Sequence, residues 1–349
     1  MEDTILYFMC PDNKKASGGV KQIYRQVDIL NKNGFNAYVL HKKKGFRANW
    51  FLNNTKIKYN PTIFRNLKYQ IKKQKNDSSF LKLIFNINTF LDNFLSSTNR
   101  DLDKNGILII PEIYGAFVDS IEPNIKKVIF NQNCYYTFNN YSIDYFFKNQ
   151  TVLATIIASI DGKNYLDFTY PSSINYRIRL GIDKNIFNYG AIKKKQIAFM
   201  PRKLNEDVIQ IINILKSRNS LNDWKLIPID KKSENEVAQI LKESLIFLSF
   251  NYREGFGLPP AEAMACGCFV IGYAGRGGEE YFKPEFSSKV EDRNIVEFVK
   301  QIEFSISEYE KKAENLLIKG KIASDFILDE YSLENENNDI IKVWTDILL

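Results

Sequence analysis

A single histidine, His41, occurs in the 349 residues. Mechanisms that need a histidine base or two histidine metal ligands must use that residue or be discarded. Cysteine is nearly as scarce. Of Cys10, Cys134, Cys266 and Cys268, only the last two lie close together, as Cys-x-Cys, which is too tight for a usual zinc knuckle. No metal site is expected. No apolar run reaches the roughly 18 residues that span a bilayer. The N-terminus lacks the basic start and small-residue cleavage site of a signal peptide, so a cytoplasmic location is expected. Acidic residues are missing from Lys42 to Lys75, a stretch with eleven Lys or Arg residues in a chain of net charge +7. Such a stretch attracts anionic surfaces, phospholipid headgroups or nucleic acid, unless it is simply the solvated face of a lysine-rich protein. No short-period repeat is present, which excludes solenoids.

What is present reads as a folded chain. Hydrophobic residues make up 44% and charged residues 26%, the balance of a globular protein, and the length suits two domains with a core each. Ile5–Cys10 is a short apolar run, followed by a loop ending in Gly18-Gly19. Val20, Ile23, Tyr24, Val27 and Leu30 then repeat at helical spacing until Gly34, and Phe35–Leu40 reads as the next strand. Strand, glycine loop, helix, strand opens a doubly wound α/β domain. Ile107–Ile110 and Val128–Phe130 are further strands. Residues 60–100 carry an apolar helical stripe from Phe80 to Leu95, read as an amphipathic helix packed on the domain rather than a membrane-facing insertion.

A second α/β alternation follows. Gln196–Met200, Trp224–Ile229, Leu245–Phe250 and Phe269–Tyr273 are strands. Glu206–Arg218, Glu234–Glu243 and Pro260–Cys266 are helices, and Ser332–Leu349 is a final helix. The polar, basic segment 185–195 between the two alternations reads as a linker.

Chemistry concentrates in Asn251–Gly267. A buried strand ends at Phe250, on the carboxyl edge where α/β sheets bind ligands. Gly255 and Gly257 let backbone approach a ligand, Pro259-Pro260 suits a first helical turn, and the helix start favours a diphosphate. Glu254 and Glu262 flank that start. Carboxylates repel phosphate, so they should face hydroxyl-rich parts of a ligand. Glu262 could otherwise be a capping or paired carboxylate. Gly272–Glu280 supplies a second glycine-rich loop, in which Glu280 could equally be a surface residue. Gly18-Gly19 is either a plain strand-helix turn or a ligand loop, and its context favours the second. Glu112, at a strand end, is a candidate acceptor-side group. His41 reads as a surface histidine, not a catalyst.

Taken together, "EGFGLPPAEAMACG" (254–267) and "GYAGRGGEE" (272–280) resemble the donor site of family-4-type retaining glycosyltransferases of the GT-B fold, with its Glu-x7-Glu motif. Gly18-Gly19 resembles the family's first glycine loop, Gly181-Ile182-Asp183 to Phe187 its inter-domain strand motif, and Phe199–Lys203 its first C-terminal strand and loop. The resemblance implies an α/β chain of GT-B type: two Rossmann-like domains facing across a cleft, with a C-terminal helix returning to the first. The corresponding boundaries are 1–184 for the acceptor-side domain (helical insertion at about 60–100), the linker 185–195, 196–330 for the nucleotide-sugar domain and 331–349 for the helix.

By the same resemblance, Glu254 contacts donor-sugar hydroxyls and Glu262 holds the ribose. Backbone at Gly255, Phe256, Gly257, Leu258 and Gly278, with Gly18 and Gly19, meets sugar and diphosphate. Arg202 neutralises the leaving diphosphate. Val208 occupies the place of the usual lysine; either Lys203 stands in for it or the second cation comes from elsewhere. Gln132 occupies the place of a histidine that many relatives carry; it hydrogen-bonds but takes no proton.

The implied activity is transfer of a sugar from a nucleoside diphosphate to a hydroxyl, with retained configuration and without metal or cofactor. A glycan or lipid-linked acceptor in cell-envelope polysaccharide or glycolipid synthesis is expected. The basic stretch 42–75 would dock on the inner face of an anionic membrane. The rival readings are a GT-B relative that binds sugar nucleotides or glycans without turnover, and a nucleic-acid base glucosyltransferase. The latter ranks low because no aromatic-basic interleaving of a nucleic-acid module is present.

Overall fold

Strands buried on both faces read as unbroken apolar runs, and such strands belong to parallel sheets. β1 (Ile5–Met9) is one, with Leu6 to Met9 all buried. It leads into α1 (Gly18–Lys32), whose Val20, Ile23, Tyr24, Val27 and Leu30 face inward; the chain turns out of that helix at Gly34, where φ is 84°. Then come β2 (Asn36–His41), β3 (Ile57–Tyr59), α2 (Pro61–Lys75), β4 (Ile107–Pro111) and β5 (Lys126–Asn131). A short α3 (Thr137–Asn140), β6 (Val152–Ile157), α4 (Ile160–Thr169) and β7 (Asn175–Arg177) follow. The computed structural model describes residues 4–75, 102–140, 150–202 and 204–349. The apolar stripe expected from Phe80 to Leu95 lies outside the described residues, as does Lys203.

The strands of this half form a seven-stranded sheet in the order β3-β2-β1-β4-β5-β6-β7. β1 pairs in parallel with β2 on one side and β4 on the other, Leu6 facing Ala37 and Ile107. The order reverses between β1 and β4, which opens a crevice at their carboxyl ends. Gly18-Gly19 follows one of these strands and Glu112 the other.

The second half runs β8 (Lys194–Phe199), α5 (Asn205–Ser217), β9 (Lys225–Pro228), α6 (Glu234–Glu243), β10 (Ser244–Glu254) and α7 (Leu258–Ala265). It continues through β11 (Phe269–Arg276), β12 (Ser287–Lys289), α8 (Ile295–Lys311), α9 (Ala313–Glu330) and α10 (Leu333–Leu348). Its five strands form a parallel sheet in the order β12-β11-β10-β8-β9. Alternate strand residues feed two cores. Ile197, Phe199, Leu248 and Ile271 meet Val208, Ile211 and Phe298 on one face; Ala198, Phe247 and Val270 meet Leu241, Met264 and Ile327 on the other. Here the order reverses between β8 and β10, so the switch point lies between the loop after β8 and the loop after β10.

The chain divides into two units: Met1–Ile157, Tyr165–Tyr176 and Ile340–Leu349 form the first, Ala158–Asn164 and Arg177–Asp339 the second. The segment 185–195, expected as a linker, lies within the second unit. Its Lys193 ammonium donates to the carbonyls of Leu241, Ser244 and Cys266 at 3.2, 2.9 and 2.8 Å, which ties the segment to the sheet. The motif at Gly181–Phe187 also belongs there: Ile182 N–H donates to Tyr331 O at 2.7 Å, and Phe187 is core. No helix among the described residues is long and apolar enough to cross a membrane.

The expected return of the C-terminal helix to the first half is seen: the end of α10 belongs to the first unit, and its buried Trp344 packs on Phe8 of β1 at 5.7 Å between rings. Trp344→Ala should therefore cost about 3–5 kcal/mol in urea unfolding. Trp344→Phe should cost much less, because Nε1 has no hydrogen-bond partner to lose.

Candidate active site

β10 does not end as a regular strand. Its register against β11 shifts between Asn251 and Glu254, and Arg253 in the bulge has φ 50°, left-handed backbone that costs a non-glycine residue energy. After the bulge, Glu254 pairs with Arg276. Gly257 caps α7 with φ 88°; a Cβ there would lie 2.5 Å from Asn251 Nδ2 and 2.9 Å from the Tyr281 hydroxyl. Glycine is thus required by conformation and by space. Pro259 and Pro260 carry no N–H, so the amides offered at this helix start are those of Gly257 and Leu258. Glu262 lies one turn further along the helix. Glu254 and Glu262 are both partly exposed.

The two glycine-rich loops interlock. Gly277 N–H donates to Glu254 O at 3.2 Å, and a Cβ on Gly277 would sit 2.2 Å from Gly255 O. The fully buried Tyr281 donates its hydroxyl to Phe256 O (3.1 Å) and Gly257 O (2.6 Å), while burial holds its pKa well above the ordinary tyrosine value. Gly278 is confined by Ala274 O and the Tyr281 hydroxyl. Phe256 packs its ring between Tyr281 and Tyr331, which leaves only its backbone for a ligand.

Glu280 is neither a surface residue nor open to a ligand. Its carboxylate accepts from Ile160 N–H (2.7 Å), Arg177 Nη2 (2.6 Å) and the Tyr331 hydroxyl (3.0 Å). Arg202, after β8, is exposed and has no ion-pair partner among the described residues. Val208 is in the core and supplies no cation. The buried thiols of Cys266 and Cys268 point to backbone carbonyls, and no cluster of metal-ligating side chains occurs among the described residues.

Two features escaped the sequence reading. The buried Asn251 has Nδ2 without an acceptor among the described residues, beside Gly257. Exposed Tyr252 carries two guanidinium groups over its ring, Arg253 at 5.0 Å and Arg293 at 5.4 Å. Asn251 lies inside the motif but carries no role in the sequence reading, which ends the strand at Phe250; Arg293 has no signal at all.

The first unit also gathers candidates at its own switch point. Gln132 Nε2 donates to Gly19 O at 3.2 Å, and a Cβ on Gly19 would lie 3.0 Å from Gln132 Oε1. Gly18 begins α1, after Ser17 as cap. Glu112 is buried and accepts from Gln132 N–H at 3.2 Å; burial pushes its carboxyl up to about 7. His41, expected at the surface, is fully buried. The neutral ring donates from Nδ1 to Asp12 (2.9 Å) and accepts from the Tyr24 hydroxyl (2.6 Å). Burial keeps its pKa below the ordinary histidine value despite Asp12. It is an anchor for the fold.

Residues 210–321 match the family model described as glycosyl transferases group 1. The chain is similar to an alpha-1,6-glucosyltransferase of Actinobacillus pleuropneumoniae serotype 7 (strain AP76), 22% identical over 224 residues. That match covers 59% of this chain and 62% of the relative, so the chain spans less than two thirds of the curated relative's length. Among solved structures, sucrose-phosphate synthase from Thermosynechococcus elongatus aligns over 99% of both chains, with TM-score 0.66 and 11% identity. Anabaena HepE in complex with UDP and glucose aligns over 98% of this chain and 100% of that one, with TM-score 0.63 and 12% identity. The chain has the GT-B fold of these enzymes.

The Glu112 carboxyl yields a pH test. Its proton is held more tightly in the folded chain than in the unfolded one, so the stability it contributes is full below the usual carboxylate range. That stability is lost as pH rises through about 7. Glu112→Gln is neutral throughout. Between pH 5 and 8, denaturant unfolding should move in the variant's favour by on the order of 2–3 kcal/mol relative to the parent. Parallel pH profiles would contradict this.

Proposed function

We propose that the protein is a retaining glycosyltransferase that moves a sugar from a nucleoside diphosphate to the hydroxyl of a glycan or lipid-linked acceptor. The observation that carries this reading is the second unit's switch point. There the Gly257–Leu258 amides at a helix start and the unpaired Arg202 follow strands β10 and β8, which lie side by side. Amide donors and a guanidinium suit a diphosphate whose charge grows as it leaves. Asn251 Nδ2 is a further donor in want of an acceptor. Glu254 would hold sugar hydroxyls and Glu262 the ribose, in line with the family-4 motif. The group 1 match over 210–321 supports the assignment.

In the reaction the bond from the anomeric carbon to the β-phosphate oxygen breaks, and the acceptor oxygen bonds to that carbon on the same face. The acceptor's proton passes to the leaving phosphate oxygen. The names of the relatives, a glucosyltransferase and a protein solved with UDP and glucose, make UDP-glucose the first donor to test. No metal is required in this scheme, so activity should persist in EDTA.

Glu254→Gln keeps the shape but loses a charge-assisted hydrogen bond, so kcat/KM should fall about 10- to 100-fold with an unchanged melting temperature. Release of UDP from UDP-glucose, with product anomer read by NMR, is the measurement. No donor consumed with any nucleotide sugar would refute the proposal and favour a non-catalytic binding protein; unchanged turnover in Glu254→Gln would refute the role given to Glu254.

A further inference from the structure

A hollow of about 560 Å³ in the first unit is lined by Lys14, Lys43, Lys44 and Arg47, together with Phe46 and Asn49. Lys14 comes from the loop after β1 and the others from the loop after β2. These strands are parallel neighbours, so both loops leave the carboxyl edge of the sheet, where α/β proteins take ligands. None of the four cations has a carboxylate partner among the described residues. Arg47 donates through Nη1 to Asn53 Oδ1 at 2.6 Å and Asn53 O at 3.5 Å, and keeps its Nε and Nη2 donors.

The nearby acids are already engaged: Asp28, whose charge Arg47 partly offsets, accepts from the Thr55 hydroxyl at 2.9 Å. Asp12 Oδ1 accepts from His41 Nδ1 (2.9 Å) and Lys42 N–H (3.2 Å), and Oδ2 accepts from Lys43 N–H (2.9 Å). These bonds hold the backbone of the cationic loop and leave its ammonium groups untouched. Further fastenings lie beneath. Ala48 N–H donates to the Tyr24 hydroxyl at 3.0 Å, and Trp50 Nε1 stitches the two loops together through Asn13 O at 3.3 Å. Like charges repel, and a loop pinned from below cannot spread them apart. An anion in the hollow removes that cost.

We propose that this hollow is an oxyanion site that takes a phosphate or diphosphate group. A guanidinium grips two phosphate oxygens at once and lysines supply point charges. The volume exceeds a bare phosphate and falls in the range of small-molecule sites, so the site takes a phosphate with part of what it is attached to. Assigning that phosphate to the sugar acceptor rests on the transferase reading; the site itself does not.

The test is calorimetric titration of the full chain with sodium pyrophosphate. Lys43→Gln/Lys44→Gln keeps every backbone bond of the loop and should lose at least about tenfold in affinity. Lys32→Gln/Lys68→Gln, which removes the same charge from exposed positions elsewhere in the unit, should stay within about twofold. No binding by the parent chain, equal affinity in Lys43→Gln/Lys44→Gln, or an equal loss in the control pair overturns the site. Sedimentation with phosphatidylglycerol–phosphatidylcholine vesicles then tells the source. Vesicle binding that is lost in Lys43→Gln/Lys44→Gln and displaced by pyrophosphate assigns a lipid headgroup. Pyrophosphate binding without vesicle binding assigns a soluble phosphorylated ligand. Binding is read without turnover, so failure of the transferase reading leaves this result intact.

Discussion

The Tyr281 hydroxyl governs the ligand-facing edge of the second unit. Buried and neutral, it must donate or lose the full cost of its desolvation, and it donates to both Phe256 O and Gly257 O. That clamp fixes Gly257 in left-handed backbone, and Gly257 sets the direction in which α7 leaves β10. With the turn held, Gly277 can approach Gly255 closely enough that no Cβ fits between them. The Glu254 carbonyl is consumed by Gly277 N–H, so its side chain leaves the strand end from a defined point. A flexible glycine loop would pay ordering entropy each time a ligand bound; this one is already ordered.

Two buried glutamates show why burial alone says little about function. Glu280 has a guanidinium, a hydroxyl and a backbone N–H around its carboxylate, and its charge is compensated. It holds the start of α4, Arg177 and Tyr331 together. Glu112 has only backbone N–H donors, and burial dominates. The first is a structural clasp; the second holds a proton near neutrality.

How much was legible follows from where the information lay. Sheet strands announced themselves as apolar runs, and β4, β5, β8, β10 and β11 start and end within a few residues of their expected positions. Local chemistry was also readable, since glycines and prolines around Glu254 specify a turn and a helix start by themselves. The helix begins at Leu258, two residues early, because Gly257 is its cap and the prolines fall inside its first turn. Everything that depended on distant partners was hidden. His41 finds Asp12 and Tyr24 only after the first sheet and α1 have formed. Glu280 finds Arg177 across 103 residues. Lys193 made its segment look like a solvated linker, because carbonyl acceptors leave no mark in a side-chain sequence. The edge strands β3 and β12 are three residues each and too polar to show a period.

The scarcity of histidine acquires its meaning from these placements. The one imidazole is sealed between Asp12 and Tyr24, held neutral by burial, and spends its hydrogen bonds on a loop. Glu112 has a proton affinity suited to neutral pH, yet it is buried and faces the Gln132 backbone. Gln132 in turn grips Gly19 O, so Glu112, Gln132 and the glycine loop form one line of hydrogen bonds at the switch point between β1 and β4. Such a line orders backbone; it does not carry a proton away from an acceptor. In the proposed reaction the base is instead the leaving diphosphate oxygen, which becomes more basic as its bond to the sugar lengthens, and the amides and guanidinium of the second unit are suited to hold it.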